Sequence, residues 1–344
     1  MKKTIHDRLR ASRHPARLTG WVVLICLAAT AWTAGQDIGI IDHQPWRGYF
    51  GGQETVLRFS VHAVPSIEGR LTWRLAVMGR TAARGEQLLA VDANQTAFVD
   101  IPLQFPEPKP GVIVDAVLEV GIMDHARTQT LLTHKKVLRL YPENPFYQQT
   151  ARMADDHLYL FDPETTTADR LTELEVPFTP VSNINALEDR RSGVLIIGED
   201  VLLDDYRGLF RQTLDAAARG MHVLYMAPAG GEIEMPGMGK TDLPHPRSVR
   251  FHGTEIIHRY DKKLDAVFWP PDGGLAVTGL IPSGDRDRVT GIFDHAAGGW
   301  PWIEFQYPCG GRLIICGFGI MATWDAGPTP RFLLRDILND FRSK

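Results

Sequence analysis

Cysteine is scarce in this chain. Only three of its 344 residues are cysteine, and Cys26 lies in an N-terminal segment that differs from the rest. Cys309 falls in the turn of a predicted hairpin and Cys316 about four residues along its second strand, roughly 13 Å away at the rise of a strand. This separation exceeds what a disulfide tolerates. We therefore expect two free thiols in the body of the protein.

Several patterns that carry chemistry are also missing. The twelve histidines include no His-x-x-x-His or similar metal-binding spacing, and no Gly-x-Ser-x-Gly nucleophile elbow is present. The body of the chain has no cluster of Lys and Arg, which binding to phosphate groups requires. The sequence therefore predicts no metal site, no cofactor and no nucleic-acid partner.

The first 35 residues have their own composition. Six basic residues precede an apolar segment that extends from Trp21 to about Gly35 and contains two small-residue steps, at 29–31 and 33–35. This arrangement is typical of a secretory signal, and the segment is shorter than the ~20 residues of a spanning helix. We expect export to the periplasm or cell envelope. Cleavage of this signal peptide and its retention as a membrane tether over residues 21–35 both stay open, and membrane contact is expected only through this segment.

Without that leader the formal net charge changes from −4 to −9, because six basic residues and one acidic residue are removed. Residues 37–145 then show apolar side chains at every second position, separated by clusters of Gly, Pro, Asn and Asp. Such alternation is typical of antiparallel strands with one buried face. It predicts an all-β immunoglobulin-like sandwich. Trp46, Tyr49 and Phe50 are interpreted as a hydrophobic plug against the second domain, with a sugar-stacking surface as the alternative.

The period changes after the two prolines of Tyr141–Phe146, which mark the predicted domain boundary. Residues 150–344 combine short, continuously apolar strands with amphipathic helices over 205–219 and from Thr329 onward. Alternating strands and helices predict a parallel sheet with helices on both faces. We therefore expect an α/β three-layer, flavodoxin-like domain at the C-terminus.

The order of elements from Leu158 onward resembles the class I glutamine amidotransferase-like fold. The resemblance rests on the apolar strand 194–198, the helix that ends at Gly220, the strand His222–Met226 and a late hairpin before the final helix. Active members of that fold continue from the corresponding strand into Gly-x-Cys-x-Gly, whereas this chain has Ala227 in place of the cysteine. The resemblance thus implies a degenerate member with no nucleophile for acyl transfer. The glutamine amidotransferase-like fold also recurs, without its nucleophile, as an accessory domain of some carbohydrate enzymes.

Ligands of open parallel sheets bind beyond the carboxyl ends of the strands. The residues that follow those ends form the candidate ligand cleft: Asp162, Asn183, Glu199, Asp200, Ala227 and Gly230. The three carboxylates have the chemistry to hold a cation or sugar hydroxyls. The alternative is that Asp162 opens a turn and that Glu199 and Asp200 cap the next helix.

Three tryptophans in unusual local sequences are candidates for an aromatic recognition surface or, alternatively, for packing the two domains together: Trp300, Trp302 and Trp324. With no catalytic residue identified, the sequence favours a non-catalytic envelope protein that acts as a scaffold or binding module for envelope proteins or glycans. The alternative is a carbohydrate-active or other hydrolase that uses the strand-end carboxylates.

Overall fold

The alternating first part of the chain forms eight strands. In the computed structural model, which describes residues 38–147, 149–155, 157–269, 273–284, 287–294 and 298–342, they are β1 (Ile38–Asp42), β2 (Gly48–Phe50), β3 (Glu54–Ala63), β4 (Ile67–Val77), β5 (Arg80–Val91), β6 (Gln95–Gln104), β7 (Val114–Asp124) and β8 (Thr130–Tyr141).

These strands form two sheets that share one apolar core. The first sheet has the order β1-β3-β6 and the second β2-β8-β7-β4-β5. Every pair is antiparallel except β2 with β8. Side chains at alternate positions of both sheets, such as Phe59 and Leu118, are inaccessible to solvent. The fold is mostly β, and this part of the chain has the paired sheets expected from the alternation.

The second part of the chain begins with α1 (Thr150–Asp155), β9 (Leu158–Phe161), α2 (Thr166–Glu173), β10 (Thr179–Pro180), β11 (Val194–Ile197), α3 (Leu209–Ala218) and β12 (His222–Met226). It continues with β13 (Glu232–Gly239), β14 (Ser248–His252), α4 (Ile256–Tyr260), β15 (Gly279–Gly284), β16 (Arg288–Asp294), β17 (Trp302–Gln306), β18 (Arg312–Cys316) and α5 (Pro328–Arg342).

A seven-stranded sheet organises these elements in the order β10-β9-β11-β12-β18-β17-β14. The first five strands are parallel, and their positions along the chain follow the order 2-1-3-4-5. Alternate side chains of β11 enter two different apolar clusters, one shared with α5 and one with α3. Both faces of the sheet are therefore covered, which explains why its strands are continuously apolar.

The predicted hairpin before the last helix is present. β17 pairs with β18 in antiparallel orientation, and α5 follows after a loop. Cys309 is exposed in the hairpin turn and Cys316 is buried in β18, and both thiols are free, as predicted. Since burial raises the pKa of Cys316, its thiol stays protonated in the folded protein.

The sequence did not indicate a small additional sheet. β13, β16 and β15 form it in antiparallel pairs. β13 carries Pro236 and Gly237 within an irregular register, so it lacks the alternation that marks a strand. Its partner β16 begins 49 residues after the end of β13, and such long-range pairing leaves no local pattern.

The sandwich and the second part of the chain meet in a polar and aromatic contact. The Arg331 guanidinium lies 4.7 Å from the ring centre of Phe50 and 5.3 Å from that of Trp324. It donates hydrogen bonds to the carbonyls of Trp324 and Glu143 and to the carboxylate of Asp325. Since Phe50 belongs to β2 and Arg331 to α5, this side chain joins the two parts of the chain.

Trp46, Tyr49 and Phe50 are all buried, which fits a hydrophobic plug and excludes a sugar-stacking surface. Trp46 lies beside Phe268 of the second part, with ring centres 6.4 Å apart. Residues 38–344 accordingly form one compact unit. Of the helices that the structure describes, none is long and apolar enough to cross a membrane. The predicted signal segment, residues 1–35, lies outside the described residues.

Candidate functional site

The predicted cleft corresponds to the carboxyl edge of the parallel strands. Strand order reverses between β9 and β11, since β10 lies on one side of β9 and β11 on the other. In open α/β sheets this switch point is where the crevice for a ligand forms. Asp162 follows β9 and Glu199 follows β11, so the sequence placed both carboxylates next to the switch point.

Asp162 is tied to the start of α2. Its Oδ2 accepts a hydrogen bond from the backbone N–H of Ala168 at 2.7 Å. Its Oδ1 is shielded from solvent and has no hydrogen-bond partner among the described residues. That oxygen lies over Gly198, where an added Cβ would be 2.2 Å away. Burial raises the pKa of Asp162, and hydrogen bonds from the backbone of Ala168 and Thr167 oppose the rise.

Glu199 is almost completely buried, with 1% of its surface exposed. Its two carboxylate oxygens accept hydrogen bonds from the backbone N–H groups of Met321 (2.7 Å) and Ala322 (2.8 Å), in the loop after β18. Its own N–H donates to Thr167 Oγ1 at 3.1 Å. Burial raises the pKa of Glu199 to about 7, against the opposing effect of those backbone donors. The side chain therefore holds a loop in place and does not face an open cleft.

The loops after β11 and β12 are hydrogen-bonded to each other. Asp200 N donates to Ala227 O at 3.1 Å, and Leu203 N donates to Gly230 O at 3.3 Å. Ala227 N donates to Cys316 O at 2.7 Å, and Ala227 has only 4% of its surface exposed. These hydrogen bonds close the space beyond the carboxyl ends of β11 and β12.

The remaining candidates are exposed. The Asp200 side chain faces solvent, and its backbone is left-handed, with φ of 65°. The prediction that Glu199 and Asp200 cap the next helix is wrong: Glu199 bonds the distant loop after β18, and α3 begins at Leu209 after a left-handed Gly208. The alternative for Asp162, that it opens a turn, is confirmed, since its carbonyl accepts a hydrogen bond from Thr165 N at 3.3 Å. Asn183 accepts a hydrogen bond from Asn185 N and caps a short 3₁₀ helix.

A cavity of about 290 Å³ opens beside Asp162, on the β10 side of the edge. Its walls are mostly apolar and are formed by Leu160, Phe161, Pro163, Ala168, Phe178, Pro180, Val181, Ser182 and Tyr206. Tyr206 meets Phe161 edge to face, with ring centres 5.2 Å apart. Of the predicted cleft residues, Asp162 alone lines this cavity.

The chemistry of the edge follows from this geometry. A pair of carboxylates that performs hydrolysis flanks an open cleft, whereas both oxygens of Glu199 are taken by backbone donors. Within the described parts of the chain, no three His, Cys, Asp or Glu side chains are arranged to hold a metal ion. The edge as folded is thus suited to holding loops together, with one small cavity beside it.

The predicted aromatic recognition surface is not formed. Trp302 and Trp324 have no exposed surface, so neither is available to a ligand. Trp302 packs beside Tyr260 in the core, and Trp324 is covered by Arg331. Trp300 alone is exposed, at 46%. The two buried rings fill the interior because their strand and loop lie beneath α4 and α5.

The sequence missed Thr167 and the loop 320–322, which hold Glu199. Thr167 is fully buried, and a Thr in the first turn of a helix offered no sign of a long-range contact. The loop contributes backbone N–H groups only, and these carry no residue-type signal. The apolar walls of the cavity come from segments that the sequence marks only as strands and turns.

Comparison with known proteins identifies no family. No protein-family model matches the chain, and a comparison with curated proteins finds no match. Among solved structures, it is similar to a cycloisomaltooligosaccharide glucanotransferase from Paenibacillus sp., with 10% identity over 74% of this chain and 33% of that chain and a TM-score of 0.28.

The chain is also similar to a family 123 glycoside hydrolase from Clostridium perfringens, with 10% identity over 48% of this chain and 38% of that chain and a TM-score of 0.23. A third similar structure is the alkylpurine DNA glycosylase AlkC of Pseudomonas fluorescens, with 10% identity over 30% of this chain and 30% of that chain and a TM-score of 0.22. The chain therefore spans well under half the length of these three proteins. At such TM-scores the similarity establishes neither a common fold nor a function.

Proposed function

We propose that this chain is an exported, non-catalytic protein of the cell envelope that acts as a scaffold or binding module. In this proposal the second part of the chain is a three-layer α/β domain of the glutamine amidotransferase-like kind that has lost its nucleophile. Its first five strands follow the flavodoxin-like order 2-1-3-4-5, and apolar clusters cover both faces of the sheet. These features support the domain assignment.

The observation that carries the non-catalytic role is the state of Ala227. Acyl transfer needs a nucleophile and backbone donors that stabilise a developing negative charge. Ala227 supplies no nucleophile, its N–H is bonded to Cys316 O, and its carbonyl is bonded to Asp200 N. The position that corresponds to the reactive cysteine is therefore closed in both side chain and backbone.

The alternative is a carbohydrate-active or other hydrolase that uses Asp162 and Glu199. One observation favours it: two carboxyl groups with raised pKa values lie at one edge of a sheet, and such groups are common at active sites. Burial alone accounts for both raised pKa values, and the backbone donors oppose the rise. We therefore place this function second.

Activity assays decide between the two. The full chain and the variants Asp162→Asn and Glu199→Gln are compared on chromogenic amides, esters and glycosides. We expect no turnover by the wild type above that of either variant. Turnover by the wild type that either substitution abolishes would establish the hydrolase instead.

Export is tested separately. N-terminal sequencing of the protein recovered from the envelope fraction is expected to begin after residue 31 or 35 if the leader is cleaved, or at residue 1 if it is a tether. Recovery of the intact chain from the cytosol alone would contradict export.

A further inference from the structure

The outer face of the five-stranded sheet carries a groove of about 720 Å³. Strand register places its side chains in three rows across β5, β4, β7 and β8, which we call the outer groove. The first row is Arg84, Arg74, Glu119 and Lys135; the middle row is Glu86, Thr72, Gly121 and Thr133; the third row is Leu88, Arg70, Met123 and Thr130.

The groove exists because the middle row is small on β4, β7 and β8, while Glu86 closes its end on β5. Gly121 lies in the interior of β7, between Thr72 and Thr133 on the neighbouring strands. A Cβ added there would be 3.1 Å from Thr72 Oγ1, so any side chain would fill the floor. A glycine inside a strand marks a bulge or a place where a ligand or another backbone approaches closely, and the register of β7 with β8 shifts just after it, between Ile122 and Met123. The floor consequently presents two threonine hydroxyl groups and bare backbone, and the Thr72 hydroxyl donates to the Gly121 carbonyl at 3.4 Å.

The walls of the outer groove carry an excess of positive charge. Glu119 is shared by Arg74 at 2.8 Å and Lys135 at 2.9 Å. In the same way, Glu86 is shared by Arg70 at 3.1 Å and by Arg127, from the turn after β7, at 2.8 Å. Each carboxylate is thus surrounded by two cations.

Arg84 adds a fifth cation. Its guanidinium has no hydrogen bond or ion pair with any residue that the structure describes, and it lies opposite another cation, Arg74. Five cations therefore face two carboxylates, in a body whose formal net charge is −9 without the leader. A concentrated positive face on an acidic protein attracts anions and aligns them with the groove.

We propose that the outer groove binds an acidic polysaccharide, a glycan chain that carries carboxylate or phosphate groups. Guanidinium groups bind both anions in a bidentate manner. The threonine hydroxyls of the floor match the hydroxyl groups of a sugar. Four strands spaced about 4.8 Å apart give the groove a length of roughly 14 Å, which suits an extended chain.

The groove does not suit a single-stranded nucleic acid, whose binding relies on bases stacked on aromatic rings. One aromatic residue, Trp73, is among the lining residues, and its side chain packs on the inner core over Gly85. This inference rests on the proposed binding role and names the class of ligand. The activity assays above concern the other part of the chain, so either proposal can fail while the other stands.

The test measures binding of the full chain by isothermal titration to polygalacturonate, a phosphomannan and neutral dextran, at about 50 mM and about 200 mM salt. We expect the wild type to bind at least one of the acidic glycans, more weakly at the higher salt, and not to bind dextran. The preferred acidic glycan identifies the anion. Equal binding of single-stranded DNA, or no binding of either acidic glycan, would overturn the proposal.

Two variants and a matched control locate the site. Arg84→Gln combined with Arg127→Gln is expected to weaken binding about tenfold or more, because hydrogen bonds from charged groups contribute about 1.5–3 kcal/mol each. Gly121→Val fills the floor and should have a similar effect. Arg58→Gln, on the other sheet and exposed beside Asp100, should change binding less than twofold. Unchanged binding by the double variant, whose substitutions are exposed and leave the fold intact, would refute this site.

Discussion

Glu199→Gln is expected to change how the stability of the protein depends on pH. The wild-type side chain is buried, and its pKa rises from an ordinary 4.5 to about 7 on folding. A raised carboxyl pKa means that the folded state binds more protons than the unfolded state over this interval. The associated stability is fully present below pH 4.5 and is lost as the pH rises through 7.

The size of the effect follows from the two pKa values. A shift of this size corresponds to about 3 kcal/mol between pH 4.5 and pH 8. Glutamine does not titrate, but its amide nitrogen places a donor against one of the two backbone N–H groups of the loop after β18. An unpaired buried donor costs about 1–3 kcal/mol. The variant should therefore be less stable than the wild type at pH 5, and the difference should vanish or reverse at pH 8.

Urea denaturation of both proteins at pH 5 and pH 8 measures this change, since other titrating groups contribute equally and cancel in the difference. Glu188→Gln, at an exposed position, serves as the control and should show the same difference at both pH values. A destabilisation by Glu199→Gln that stays constant or grows toward pH 8 would refute the reasoning. It would show that Glu199 is ionised throughout and that its two backbone hydrogen bonds outweigh the effect of burial.

Three other substitutions or reactions test the packing. Arg331→Met should destabilise the protein by about 3 kcal/mol in urea, because it leaves the buried Trp324 carbonyl and the partly buried Glu143 carbonyl without a donor; a loss below 1 kcal/mol would contradict this role. Lys136→Met should lower the free energy of unfolding by about 3 kcal/mol, because Asp42 loses its buried partner. Adding Asp42→Leu should recover most of this loss; a double variant as unstable as Lys136→Met would show that the pair is net stabilising. In thiol labelling followed by peptide mapping, Cys309 should react in the folded protein and Cys316 only on unfolding; equal rates would place Cys316 at the surface.

Sequence patterns predicted those strands whose buried positions follow a regular local pattern, either every second residue or every residue. The strand His222–Met226 has the predicted limits, and another begins at Leu158, where the predicted order of elements starts. Both are mainly apolar along their length because a strand covered on both faces is buried at nearly every position. β5 was missed for a physical reason. Its inward positions include Ala83 and Gly85, since the Trp73 ring occupies the space where larger side chains would show the alternation.

The sequence predicted the positions of the strand-end carboxylates but not their partners. Asp162 and Glu199 follow apolar strands, so their location at one edge could be inferred. Their partners are backbone N–H groups of residues 168, 321 and 322, and every non-proline residue has such a group. Whether a strand-end carboxylate faces a cleft or holds a loop depends on where a distant segment passes, and a local pattern does not show this.

The hydrogen bonds at this edge also show why a thiol introduced at position 227 would not be sufficient for acyl transfer. The reaction requires N–H groups that are free to stabilise a developing negative charge. Here the N–H groups of Asp200 and Leu203 are bonded to carbonyls of the opposite loop, and Ala227 N is bonded to β18. An active edge would require these loops to separate, and each broken bond would leave a backbone group to be satisfied elsewhere. The backbone pairing of these loops therefore opposes acyl transfer at position 227 as much as the alanine side chain does.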